Sequence, residues 1–215
     1  MPKTLYPAFT GEGNSDQRFL SSIIARTFRE LLFDAKQQVD SSLPLWIGTA
    51  KGRDEIFAAA KTVNDYTLEL YCIHADADRL TPEEAYIQRV APGINAYEEV
   101  RPESLVFVPI IPVRMIEAWM LADTALLKKL IATNLSDSDL GWAGNPERKA
   151  DPKKIISEGI RIASKNNPRK FYGGIKDLYS DAGERIDLEA LSRLPSYQRF
   201  RTAARAALVQ LGYLR

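Results

Sequence analysis

The sequence is short of the side chains that most often cross-link a protein or hold a transition metal, since it contains one cysteine, Cys72, and one histidine, His74. One cysteine cannot form an internal disulfide, and one histidine excludes a histidine-rich zinc site. We therefore interpret Cys72 as a small buried hydrophobe and His74 as a hydrogen-bonded structural residue. The expected compartment is a reducing cytoplasm, because the chain does not open on a basic leader followed by an apolar segment.

Long apolar runs and a large net charge are also missing. No run approaches the roughly 20 residues that span a bilayer, so no membrane association is expected. The formal net charge is +1, which argues against a broadly basic surface that coats nucleic acid. With 215 residues, 45% of them hydrophobic and 27% charged, the chain has the composition of a globular protein with one large domain or a core with an appendage.

Predicted strands and helices alternate in the first half of the chain. The strands are apolar segments at 4–10 and 43–48, the start of 68–79, and 105–111. The helical patterns that follow them are one capped by Asn14 and running to Leu32, one at 53–63, a short one from Thr81 that Pro92 and Gly93 end, and one at 113–131. Four strand–helix repeats are typical of an α/β domain whose sheet is parallel and covered by helices on both faces.

Three carboxylates follow predicted strands at the point where each strand ends. Glu12 comes directly after the first strand, and Asp76 and Asp78 come after the third. If the strand order is 2-1-3-4, strands one and three are neighbours at the switch point where open α/β sheets bind ligands. All three side chains would bind a metal through oxygen. The sequence therefore predicts a site for Mg²⁺ or Mn²⁺ that involves Glu12, Asp76 and Asp78.

Further candidate residues lie beside these carboxylates. Gly11 and Gly13 let the backbone turn tightly around Glu12 and let a phosphate approach. Glu117 lies in an apolar segment, where a lone carboxylate is costly, so it either pairs with a cation such as Arg114 or turns toward the metal site. Several basic residues are candidates for contacts with a phosphate backbone, with Arg114 the best and a solvated surface the simpler interpretation for most of the others: Arg79, Arg114, Lys149, Lys153, Lys154, Arg169 and Lys170.

The second half of the chain has a different pattern. Residues 145–154 are polar and interrupted by proline, and helical patterns follow near 152–164, 173–181, 187–192 and 196–211. No strand pattern is present there. We predict an α/β core at 1–133 and, at 134–215, a helical C-terminal extension packed on that core.

The acidic motifs resemble the two signatures of a TOPRIM domain, a glutamate after strand one (Gly11-Glu12-Gly13) and an Asp-x-Asp after strand three (Asp76-Ala77-Asp78). Together with the segments 112–123, 151–154 and 196–200, they are similar to an uncharacterised bacterial family with a TOPRIM-like core, near the RloB-like and OLD-type nucleases. Pro7 departs from the pattern expected of the central strand, because proline lacks a ladder donor. The resemblance covers nearly the whole chain.

This resemblance implies a function. In TOPRIM enzymes the glutamate acts as a general acid or base and the aspartate pair holds the metal, which assigns those roles to Glu12 and to Asp76 and Asp78. It implies a Mg²⁺-dependent nuclease that cleaves nucleic-acid phosphodiesters, in a bacterial anti-phage system with an ATPase partner. Two alternatives stay open: a non-catalytic module that binds metal, nucleotide or protein, and a phosphatase or phosphotransferase of small phosphoesters.

Overall fold

The computed structural model describes residues 3–35, 38–102, 104–166 and 173–215. The basic candidates Arg169 and Lys170 lie outside these residues. Within the described chain, no helix is both long and apolar enough to cross a membrane.

The centre of the fold is a four-stranded parallel sheet. Its strands are β2 (Pro7–Gly11), β4 (Leu45–Thr49), β5 (Leu70–His74) and β6 (Val106–Ile110), and they lie in the order β4-β2-β5-β6. In the count of predicted strands this order is 2-1-3-4. The predicted α/β fold, with a four-stranded parallel sheet flanked by helices, is confirmed. Strands β2 and β5 are buried along their whole length, as expected of central strands covered on both faces.

The first predicted strand is two strands in the structure. β1 (Lys3–Leu5) pairs with β3 (Val39–Ser41) in a separate two-stranded sheet, and the chain passes through the exposed Tyr6 before β2 begins at Pro7. Proline is tolerated here because it is the first residue of its strand. Pro7 lies opposite Leu70 in β5, and pairing with β4 starts one residue later, at Ala8.

Helices cover both faces of the sheet. The described helices longer than one turn are α1 (Asn14–Leu32), α2 (Gly52–Asp65), α4 (Ala91–Val100), α6 (Thr124–Leu130), α7 (Pro152–Asn166), α8 (Tyr179–Arg185) and α10 (Pro195–Gln210). Three are single turns: α3 (Pro82–Ala85), α5 (Glu117–Met120) and α9 (Leu188–Leu191). One face of the sheet packs against α1 and the C-terminal helices, and the other packs against α2 and α4.

Three predictions about helices were wrong. The helix from Thr81 is not ended by Pro92, because a π-helical turn at Tyr86–Val90 links α3 to α4 and proline fits the first turn of the new helix. The predicted helix at 113–131 is two helices, and the Asp123 side chain caps the second by accepting the Leu126 N–H at 2.9 Å. Helix α1 is capped at Gly13 and not at Asn14.

The described C-terminal residues form helices and turns without a strand, and the helix predicted near 173–181 is a 3₁₀ turn at Ile175–Asp177 followed by α8. Helix α8 packs on α1, and α10 packs against β6, so these helices share one hydrophobic cluster with the sheet. The approach of α8 to α1 is close, since a Cβ at Gly183 would lie 2.3 Å from the carbonyl oxygen of Phe19. The extension therefore completes the core on one side of the sheet and brings residues such as Tyr179 to its edge.

Candidate active site

Glu12 and Asp76 meet at the carboxyl edge of the sheet, as their positions after β2 and β5 predict. The Glu12 Oε1 atom accepts the backbone N–H of Asp76 at 2.9 Å. Its Oε2 atom lies 3.0 Å from the ammonium of Lys51, which precedes α2. The hydrogen bond to the Glu12 carboxylate is the main reason why the pKa of Lys51 is raised. The charges of Glu12, Asp16 and Asp76 add to this effect. Lys51 is therefore a cation in the field of all three acids.

Asp16 is a third carboxylate at this edge, and our sequence analysis did not single it out as a site residue. Its Oδ2 atom accepts the backbone N–H groups of Glu12 at 2.6 Å and Gly13 at 2.9 Å, and its side chain is buried. Gly11 makes room for it, since a Cβ there would lie 2.8 Å from the Cβ of Asp16. The signal available in the sequence was an acidic residue in the first turn of a helix, where it accepts free N–H groups.

Gly11 and Gly13 thus have different roles. Gly11 cannot carry a side chain without displacing Asp16, whereas nothing lies within 4 Å of a Cβ placed at Gly13. The backbone of Gly13 is extended, with φ −173°, which any residue adopts. A steric requirement for glycine therefore exists at Gly11 and not at Gly13.

His74 is the last residue of β5 and lies fully buried beneath the carboxylates. Its Nδ1 atom is 3.0 Å from the carbonyl oxygen of Ile110, and its Nε2 atom is 3.4 Å from Asp76 Oδ1 and 3.7 Å from Asp16 Oδ2. Burial alone lowers the pKa of His74, but the two carboxylates and the Ile110 carbonyl outweigh it and raise the pKa to about 9. At neutral pH the ring is an imidazolium, which is a counter-ion for the acids and not a metal ligand.

Asp76 is one of two predicted acids whose pKa is raised in the fold, the other being Glu117. Burial raises the pKa of its carboxyl group, and the charges of Glu12 and Asp16 raise it further against the opposing effect of His74. Its Oδ1 atom is buried without a hydrogen-bond partner among the described residues. An oxygen in that state is costly unless a ligand or a solvent molecule satisfies it.

Asp78 does not join this cluster through any contact in the described chain. Its Oδ2 atom accepts from Arg89 Nη1 at 2.7 Å, and its side chain is 52% exposed. The same Arg89 atom donates to the carbonyl oxygen of Asp76 at 2.6 Å, so the guanidinium bridges the two aspartates. Arg114 donates to the backbone carbonyl of Asp78 at 2.7 Å.

Glu117 is buried and has two partners from the C-terminal helices. The hydroxyl of Tyr179 donates to Glu117 Oε1, and the ammonium of Lys153 lies 3.8 Å from the same atom. The sequence left open that Glu117 pairs with a cation such as Arg114; the cation beside Glu117 is Lys153, and Arg114 donates to the carbonyl of Asp78. Burial raises the pKa of Glu117 against the opposing effects of Tyr179 and Lys153, and the charge of Asp76 contributes to the rise.

Three clefts open around the acids. The smallest, of about 220 Å³, contains Glu12 and Lys51 together with Arg89. The arginine cleft, of about 880 Å³, is lined by residues that include Asp78, Arg79, Gln88, Arg89, Arg114 and Asp151. The lysine cleft, of about 250 Å³, is lined by Asn14, Ser15, Arg18, Lys153, Lys176 and Tyr179.

The donor set of Glu12, Asp16 and Asp76 has the chemistry that Mg²⁺ and Mn²⁺ prefer. The Oδ1 atom of Asp76 accepts no hydrogen bond within the part of the chain that the structure describes, and the ring of His74 lies 3.4 Å from it. However, no three His, Cys, Asp or Glu side chains in the described residues are arranged to hold a metal ion. Lys51 and the Asp76 N–H occupy both oxygens of Glu12. A divalent ion at Glu12 would have to displace Lys51.

Comparison with known proteins identifies no relative. No family model, no curated protein and no solved structure matches the chain. The resemblance to a TOPRIM core stays a prediction from the sequence motifs.

Proposed function

We propose that this protein is a divalent-metal-dependent phosphoryl-transfer enzyme that hydrolyses the phosphodiester bonds of nucleic acids. The observation that carries the proposal is the meeting of Glu12, Asp16 and Asp76 around His74, with cation-lined clefts nearby. Phosphoryl transfer requires carboxylates that bind a metal and, next to them, arginines or lysines that bind phosphate. The TOPRIM-like assignment, a role in bacterial defence and an ATPase partner belong to this proposal through the resemblance of the motifs.

In this proposal Asp76 and Asp16 hold the ion, with Glu12 as a ligand or as the group that moves a proton. When bound, the metal neutralises charge on the phosphate and lowers the pKa of water. His74 lies 3.4 Å from Asp76 Oδ1 and 3.7 Å from Asp16 Oδ2 and helps to hold both side chains in position. Glu117, with its raised pKa, is suited to hold a proton beside the site.

The test is incubation with plasmid, single-stranded DNA and RNA in the presence of Mg²⁺ or Mn²⁺. We expect metal-dependent products from the wild type and none from Asp76→Asn, whereas Asp65→Asn, at an exposed position at the end of α2, should be as active as the wild type. Circular dichroism of each variant checks that it is folded. Absence of any metal-dependent product from the wild type would overturn the proposal.

A specific observation favours a second candidate, a non-catalytic binding module. Both oxygens of Glu12 already have partners, and Asp78 is held by Arg89, as in a site that works without a metal. This candidate predicts that Glu12→Gln leaves function intact while changes on the surface of the C-terminal helices abolish it. The enzyme proposal predicts the opposite result for Glu12→Gln.

A further inference from the structure

The arginine cleft has a composition suited to a phosphate group. Arg79, Arg89 and Arg114 line it against two carboxylates, Asp78 and Asp151. Arg89 is held by the carbonyl of Asp76 and the carboxylate of Asp78, and Arg114 is held by the carbonyl of Asp78, so both guanidinium groups are oriented. Arginine binds phosphate through a planar fork of N–H donors, and each of these two has donors left after its described contacts.

Arg79 completes this cleft differently. It is exposed, and its side chain makes no hydrogen bond or ion pair within the described part of the chain. Because Arg79 lines the same cleft as Arg89 and Arg114, its charge adds to their attraction for an anion. It loses no such hydrogen bond or ion pair when it binds one. The cleft therefore contains two fixed cations and one that is available.

The lysine cleft is lined in part by Asn14 and Ser15, the two residues that directly precede Asp16. Arg18, Lys153 and Lys176 contribute three cations to it, and no carboxylate is among its described lining residues. Arg18 reaches across the cleft to the backbone carbonyl of Lys176 at 3.4 Å. The local excess of positive charge contrasts with the net charge of +1 for the whole chain. A concentration of charge of this kind attracts an anion to one place.

Shared residues connect both clefts to the carboxylates. Arg89 lines the arginine cleft and also the small cleft that contains Glu12 and Lys51. At the other end, Tyr179 and Lys153 line the lysine cleft and both contact Glu117. Arg89 thus links the arginine cleft to Glu12, and Tyr179 and Lys153 link the lysine cleft to the buried Glu117.

We propose that the arginine cleft and the lysine cleft are two phosphate subsites that bind the same phosphodiester strand. This inference rests on the proposed function and narrows it, because a substrate with a single phosphate cannot occupy both clefts. A strand with phosphates on both sides of the cleaved bond can do so. The protein is then an enzyme for internal bonds of a chain and not for small phosphate monoesters.

The experiment measures binding without cleavage. The affinity of a fluorescein-labelled single strand of twelve nucleotides is measured by anisotropy in EDTA at several salt concentrations. The variants are Arg79→Gln, Lys176→Gln and the double variant, and the controls are Arg193→Gln and Lys129→Gln, exposed cations that line neither cleft. All four positions are exposed, so the variants should fold, and denaturation midpoints check this.

We expect each cleft variant to weaken binding several-fold and to reduce the slope of log affinity against log salt by about 0.7, the value for one lost phosphate contact with a single strand. The double variant should lose about twice that slope, and the controls should match the wild type. On a labelled dinucleotide the two losses should not add, because its single phosphodiester can occupy only one cleft at a time. Wild-type binding by either cleft variant would overturn the two-subsite proposal. Additive losses on the strand of twelve without any metal-dependent cleavage would overturn the proposed function alone.

Discussion

The buried histidine makes a strong prediction about stability and pH. His74 is the only histidine of the chain, and its Nε2 atom lies 3.4 and 3.7 Å from two carboxylates. At an effective dielectric constant of about 20, each attraction is worth roughly 5 kcal/mol, against a burial cost of several kcal/mol for the ion. The attraction to the carboxylates outweighs the cost of burial, so the pKa of His74 rises from 6.5 to about 9.

A pKa that is higher in the folded state stabilises the fold below pH 6.5, and this contribution is lost as the pH rises toward 9. Between pH 6 and pH 8.5 the free energy of unfolding should therefore fall by about 2 kcal/mol, given 1.4 kcal/mol for each pKa unit. Burial raises the pKa of Cys72 in the folded chain, and its thiol ionises in the unfolded chain only near pH 9, so it contributes little within this range. Asp16 and Asp76 supply the attraction, so the effect reports on the acidic cluster itself.

The assay is urea unfolding of the wild type and of His74→Gln at pH 6, 7, 8 and 8.5. The variant removes the titrating group, so we expect its stability to depend much less on pH than that of the wild type. Equal slopes in the two proteins, or a wild-type stability that does not fall, would refute the assignment of His74 as an imidazolium between Asp16 and Asp76.

Three further changes test single contacts. Gly11→Ala places a Cβ 2.8 Å from that of Asp16, so unfolding should become easier by about 2 kcal/mol, whereas Gly13→Ala should change stability by less than about 0.5 kcal/mol. Gly159→Ala places a Cβ 2.3 Å from Trp142 Nε1, and we expect a Tm about 4–8 °C lower with a shifted tryptophan emission. Lys51→Met removes the ammonium beside Glu12, so calorimetry should record Mn²⁺ binding about fivefold tighter.

For each of these three predictions, one result would contradict the contact on which it rests. Equal stabilities of Gly11→Ala and Gly13→Ala would mean that Asp16 is not held against the backbone of Gly11. A Tm for Gly159→Ala equal to that of Gly174→Ala, whose added Cβ meets open space, would place Trp142 elsewhere. Weaker Mn²⁺ binding by Lys51→Met, with Lys129→Met unchanged, would show that Lys51 assists the ion and does not compete with it.

Apolar runs and helical spacing were enough to predict the sheet and the meeting of Glu12 with Asp76. Both residues follow strands whose continuous burial is typical of a parallel sheet, and their meeting depended in addition on the strand order 2-1-3-4, which the structure has. The boundary errors have local causes as well. Pro92 looked like the end of a helix, yet a π-helical turn before it lets a new helix begin there.

Contacts between distant segments were beyond prediction. Glu117 finds Tyr179, 62 residues later, because the C-terminal helices fold back over α1. His74 becomes part of the site because Asp16 of α1 lies over the end of β5, and no spacing within either segment encodes that approach. Asp78 has the same motif context as Asp76 but turns to Arg89, a residue of the π-helical turn.

Mn²⁺ binding, followed by the loss of the free-ion signal in electron paramagnetic resonance, tests the central claim most directly. We predict saturable binding by the wild type and by Asp65→Asn. In Asp76→Asn and Asp16→Asn the affinity for Mn²⁺ should be lower than that of the wild type by a factor of about ten or more. Equal Mn²⁺ affinity in all four proteins, or no binding by the wild type, would contradict the assignment of the carboxylate cluster as a metal-dependent centre.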